Sequence, residues 1–102
     1  MRISNSEVLK IKKILNQFIS DLDYKIYLFG SRADDSKKGG DIDLLLFIKS
    51  NDFEKVYEKK PLLKFELETI LGDQRVDLTL TTQEKKQEDL FIAHVFESAI
   101  EL

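Results

Sequence analysis

The chain has 102 residues, 42% of them hydrophobic and 34% charged, enough for one compact domain with a core and no more. Its net charge of −3 lacks the basic surplus expected of a stand-alone duplex DNA or RNA binder, since phosphate contacts dominate such affinity. The longest apolar run, 44–48, is far short of the roughly 20 residues of a membrane span. No apolar signal-peptide core follows the first residues, so a cytoplasmic protein is expected. With no cysteine present, disulfides, thiolate metal sites and thiol nucleophiles are excluded. No repeat or linker divides the sequence, and residues 1–102 are read as a single domain.

Residues 4–22 predict an amphipathic helix. Ser4 and Glu7 have capping-box spacing, and Ile11, Ile14, Leu15, Phe18 and Leu22 recur on one face. Residues 24–29 predict a strand ended by Gly30. A short helix is expected within 31–38, stopped by Gly39-Gly40. Residues 42–48 read as a strand apolar on both sides, suited to the middle of a covered sheet. A helix capped by Ser50 or Asn51 is expected to run to about Lys59. Pro61 is expected to open a second helix reaching Leu71, with Gly72 as its stop. Residues 75–80 predict a third strand, with Val76, Leu78 and Leu80 alternating against Asp77 and Thr79. The tail, 83–102, reads as one helix with an apolar stripe through Phe91 or Ile92, Val95 or Phe96, and Ala99 or Ile100. The order α-β-(α)-β-α-α-β-α implies an α/β (α+β) fold, a small mixed sheet flanked by helices.

Three short features carry chemistry. Gly30-Ser31-Arg32 lies between a strand and a helix start, where glycine admits close backbone approach and free N–H groups attract an anion. It is equally a turn glycine followed by a serine cap. Asp41 and Asp43, two apart on an extended chain, face the same way about 6–7 Å apart. Either they bracket divalent cations or they form an acidic strand start in water. Asp77 interrupts Val76 and Leu78 in what reads as an interior strand, where a lone carboxylate is costly without a partner or metal. On an edge strand it would simply face solvent, with Thr79 and Thr81 beside it.

Together these features resemble the DNA polymerase β-type nucleotidyltransferase superfamily. The run Phe29-Gly30-Ser31-Arg32-Ala33 followed by Gly40-Asp41-Ile42-Asp43-Leu44, and then Arg75-Val76-Asp77-Leu78, is similar to its smallest branch, the MNT (minimal nucleotidyltransferase) proteins. The likeness spans about 24–80. It implies the nucleotidyltransferase fold, with Gly30 and Ser31, assisted by Arg32, contacting a nucleoside triphosphate. Asp41, Asp43 and Asp77 would be the catalytic acids and would ligate one or two Mg2+ ions. The implied reaction moves AMP from ATP to a hydroxyl of a protein or RNA. It also implies a HEPN-domain partner in a toxin–antitoxin pair, in which this chain is the antitoxin, and a homo- or hetero-oligomer. A binding subunit that restrains such a partner by contact alone is the competing reading. The linker from Ser31 to Asp41 is slightly short, and its Asp34-Asp35-Ser36-Lys37-Lys38 departs from the arginine-and-glycine pattern of the branch, which bears on nucleotide affinity more than on metal binding. Nucleotide-sugar glycosyltransferases also use Asp-x-Asp, but they need a far longer chain. His94 falls with Glu97, Ser98 and Glu101 on a polar helix face and reads as a surface residue.

Overall fold

The computed structural model describes residues 3–34 and 40–102. Helix α1 (Asn5–Ile19) opens with the expected capping box: Ser4 Oγ accepts from the Glu7 N–H at 3.1 Å, and Glu7 Oε1 accepts from the Ser4 N–H at 3.0 Å. Strand β1 (Tyr24–Phe29) leads into a single 3₁₀ turn at Gly30–Ala33. Whether helix continues through 35–38, as expected from sequence, lies outside the described residues. Strand β2 (Ile42–Ile48) is followed by α2 (Phe53–Ile70), β3 (Val76–Thr81), α3 (Gln83–Glu88), α4 (Leu90–Ser98) and β4 (Ile100–Glu101).

The four strands form one mixed sheet in the order β3-β2-β1-β4. β1 runs antiparallel to β2 and β4, whereas β2 and β3 are parallel, as a helical crossover between them requires. One face of the sheet presents Ile26, Leu28, Leu44, Leu46, Leu78 and their neighbours to Ile11, Leu15, Ile19, Val56, Leu63 and Leu67 of α1 and α2. The other face is smaller, with Leu45 packed on Ile92 and Val95 and bordered by Tyr27, Phe29, Phe96 and Ala99. The Phe96 ring meets Tyr27 and Phe47 edge-on, with centroids 5.0 and 5.8 Å away, a favoured aromatic geometry. β2 is therefore central and covered on both sides, as its unbroken apolar run predicts. Among the described residues no helix is long and apolar enough to cross a membrane.

Three expectations need correction. Pro61 does not divide two helices but lies inside α2. Proline's fixed φ suits a helix, although its missing N–H removes the bond to the Tyr57 carbonyl. Val56 before it and Leu63 and Leu67 after it are fully buried in one cluster, so packing holds the helix continuous across an exposed proline. The tail is not one helix. It breaks at Asp89, which has extended backbone and whose Oδ1 accepts from the N–H groups of Phe91 and Ile92. Local side-chain capping of this kind competes with helix continuation. Its last residues form β4, with Leu28 opposite Ile100 and Tyr27 opposite Glu101. The third correction concerns β3, which is an edge strand rather than an interior one.

Gly72 does end α2, in a Schellman motif: the Gly72 N–H donates to the Thr69 carbonyl and the Asp73 N–H to the Glu68 carbonyl, with both residues at positive φ. Pro61→Ala should restore one helical hydrogen bond at an exposed site. It is expected to raise unfolding free energy by about 1–2 kcal/mol, less than the full proline penalty because alanine frees the unfolded chain. Urea denaturation followed by circular dichroism would measure it.

Candidate active site

The register of the sheet assembles the site. Phe29 pairs with Asp43 across β1 and β2, and Asp43 pairs with Asp77 across β2 and β3. In-register residues on neighbouring strands project from the same face, with backbones about 4.8 Å apart. Asp43 and Asp77 therefore stand side by side on the face that carries α4, beyond the last apolar row. Asp41 lies two residues before Asp43, just outside β2, and is exposed.

The three acids are not equivalent. Asp77, on the edge strand, is exposed, while Asp43 is half-buried. Burial, followed by the negative charges of Asp77 and then Asp41, pushes the Asp43 carboxyl above the ordinary carboxylate range. The unfavourable environment anticipated for Asp77 thus belongs to its neighbour on the central strand. Among the described residues no three acidic or imidazole groups are gathered into a finished metal cage.

Gly30 closes the other side of Asp43. Its φ is +72°, and a Cβ placed there would overlap the Asp43 carboxylate. Only glycine meets both demands, the left-handed backbone and the close approach. Gly40, at φ +93°, bears on the Ser31 hydroxyl in the same way. Both ends of the connection between β1 and β2 thus press against site residues. The Gly39-Gly40 doublet directly before Asp41, expected only to stop a helix, is the trace of this contact in the sequence.

Arg32 is held from behind. Its Nε donates to the Gly40 carbonyl at 3.2 Å and its terminal nitrogen to Gln74 Oε1 at 2.9 Å. Gln74 in turn donates to Glu7 Oε2 and to the Leu71 carbonyl. The bonds from the Ser4 backbone and from Gln74, with the Arg32 charge assisting, keep the Glu7 carboxyl below its ordinary range. Through these bonds Arg32 braces the glycine turn to the start of α1 and the end of α2. Gln74, which sequence reading passed over, is the joint of that brace.

Among the clefts beside the sheet, two differ in their distance from the acids. One, of about 540 Å3, lies between the glycine turn and α4, with Phe29, Gly30, Phe91, His94, Val95 and Ser98 on its walls. The other, of about 480 Å3, lies at the far end of β1 and β2 around Tyr24, Lys25, Phe47 and Gln83, away from the acids. His94 is exposed, as expected, with Nδ1 3.5 Å from Glu97 Oε2, yet it lines the cleft beside Gly30.

A sequence profile described as Nucleotidyltransferase domain matches residues 8–102. The chain belongs to this family. The match takes in the glycine turn and all three acids, so nucleotidyl transfer is the general activity of the fold that holds them. A candidate nucleotidyltransferase from Sulfolobus solfataricus has a similar crystal structure, with a TM-score of 0.53 at 20% sequence identity over 94% of this chain and 81% of that one. At this identity the likeness concerns the fold alone. No curated protein matches the sequence.

Two outcomes follow for this nucleotidyltransferase domain. Gly30→Ala introduces both strain at positive φ and a clash with Asp43, and is expected to cost about 2–4 kcal/mol of stability by chemical denaturation. Asp43→Asn removes an ionised group that the fold disfavours. Because the folded-state pKa of Asp43 is raised, its penalty is complete above that pKa and vanishes below the ordinary carboxylate value. Thermal melts in chelator should therefore find Asp43→Asn more stable than wild type at pH 7–8, with the difference closing as pH falls toward about 4.

Proposed function

We propose that this domain transfers AMP from ATP to a hydroxyl group on a partner macromolecule. The observation that carries the reading is the in-register Asp43–Asp77 pair with Gly30 closed against Asp43. Such an arrangement sets acids and glycine backbone side by side, so that both can meet one phosphate chain. Gly30 and Ser31 would face the phosphates, where a glycine lets the backbone come close. Asp77, on the open edge strand, would accept the proton of the attacking hydroxyl. The hydroxyl oxygen then forms its bond to the α-phosphorus as the bond to pyrophosphate breaks in line, and pyrophosphate departs.

The donor set fits magnesium in its chemistry. Three carboxylates that repel one another at Asp43 are hard oxygen ligands, and a divalent cation would relieve that repulsion and draw them together. Asp41, Asp43 and Asp77 would hold it, and when bound it supplies neutralisation of phosphate charge and a lower pKa for the attacking hydroxyl.

The exposed Asp77 on the open β3 edge leaves that side of the site accessible to an acceptor hydroxyl carried by another molecule. The resemblance to the MNT branch favours a HEPN-domain protein in a toxin–antitoxin pair, with RNA as a further acceptor class. Both would be met in the cytoplasm.

Incubating the protein with α-labelled ATP, Mg2+ and the HEPN protein encoded beside it should place label on that partner. Asp43→Asn and Asp77→Asn are each expected to lower the rate by at least about a hundredfold, equivalent to the several kcal/mol carried by metal-assisted charge stabilisation. If both variants still restrain the partner fully and no label is transferred, contact rather than catalysis is the function.

A further inference from the structure

Resting on the nucleotidyltransferase reading, we infer that the cleft between the glycine turn and α4 is the nucleoside pocket, with Phe91 as the platform on which the base stacks. The cleft of about 540 Å3 lies within the range of roughly 300–1,000 Å3 typical of small-molecule sites. It adjoins the site because Gly30, where an added Cβ would overlap Asp43, is part of its wall. The sheet order then divides the two reactants. Asp77 marks the β3 side, which is an open edge, while the cleft opens on the β1 side of Asp43. A donor nucleotide with its phosphates at Gly30 has its nucleoside on the cleft side, leaving the β3 edge to the acceptor.

The lining suits an uncharged heteroaromatic better than more phosphate. Phe91 is 58% exposed, an unusual state for a phenylalanine on a helix whose neighbours Ile92 and Val95 are buried. It is one of the two exposed large apolar residues on α4, and it lines the cleft. Aromatic faces bind bases by stacking with little regard to sequence. His94 and Ser98, also on the wall, add groups able to hydrogen-bond base edges. The pairing of a flat apolar face with a few polar groups is the usual composition of such a pocket.

The test separates base from phosphate by comparing MgATP with magnesium tripolyphosphate, which has the phosphates and no nucleoside. Calorimetric titration of wild type, Phe91→Ala and Phe91→Trp provides the readout. Phe91→Ala is expected to weaken ATP binding about tenfold, leave tripolyphosphate affinity unchanged, and be rescued by Phe91→Trp. The exposure of the side chain makes loss of the fold an improbable explanation, and a thermal melt of each variant checks it. Equal ATP affinity in wild type and Phe91→Ala overturns the pocket while leaving the nucleotidyltransferase reading intact. So does equal loss for both ligands. Wild-type protein that binds neither ligand overturns both.

Discussion

The parallel register of β2 on β3 is the constraint on which the site depends. It sets Asp43 opposite Asp77, and it is fixed by residues that have nothing to do with chemistry. Ile42, Leu44 and Leu46 pair with Val76, Leu78 and Leu80 and bury together under α1 and α2. A slip of one residue would turn all these side chains toward the wrong face and expose the core. The large apolar layer thus holds two carboxylates at strand spacing on the opposite layer, against their mutual repulsion. Chemistry on one face is positioned by hydrophobic burial on the other.

A second tier of constraint acts at the ends of the strands. The Schellman turn after α2 places Gln74 where it joins Arg32 to Glu7, while Glu68 Oε2 accepts the N–H of Val76 at 2.9 Å as β3 begins. Arg32 fixes the return of the chain at Gly40, so the two glycines that approach Asp43 and Ser31 are held from outside by a polar relay. Such a relay adds little driving force compared with the core. Its contribution is to set Gly30 and Gly40 relative to one another, because each donor in it has a specific acceptor.

Most strands and the first helix were legible because their signals are local. The capping box at Ser4 and Glu7, the boundaries of β1 and β2, and the stop at Gly72 all follow from side-chain chemistry within a few residues. The failures were of two kinds. Pro61 is a strong local signal overruled by burial on both sides of it. In the return of Ile100 and Glu101 to β1, pairing partners more than 70 positions away decide the outcome, and no periodicity announces them. For the site, the resemblance grouped the glycine turn with the three acids, and the sheet register brings Asp43 beside Asp77 with Gly30 close by. Their inequality was hidden, since sheet order decides that Asp43 is enclosed and Asp77 open. Gln74 and the cleft beside Phe91 were hidden for the same reason: they exist only once distant segments meet.

The burial of β2 on both sides also sets a separation of timescales within the site. Five of its seven residues are buried, and it lies between two paired neighbours, so its amides exchange with solvent only when the whole domain opens. The glycine turn at 30–33 has no buried residue and is held instead by hydrogen bonds through Arg32, the kind of support that water can replace and that lowers the free energy of local opening. Asp43 is thereby anchored to the strand that opens last, while the turn it meets depends on polar contacts rather than on burial.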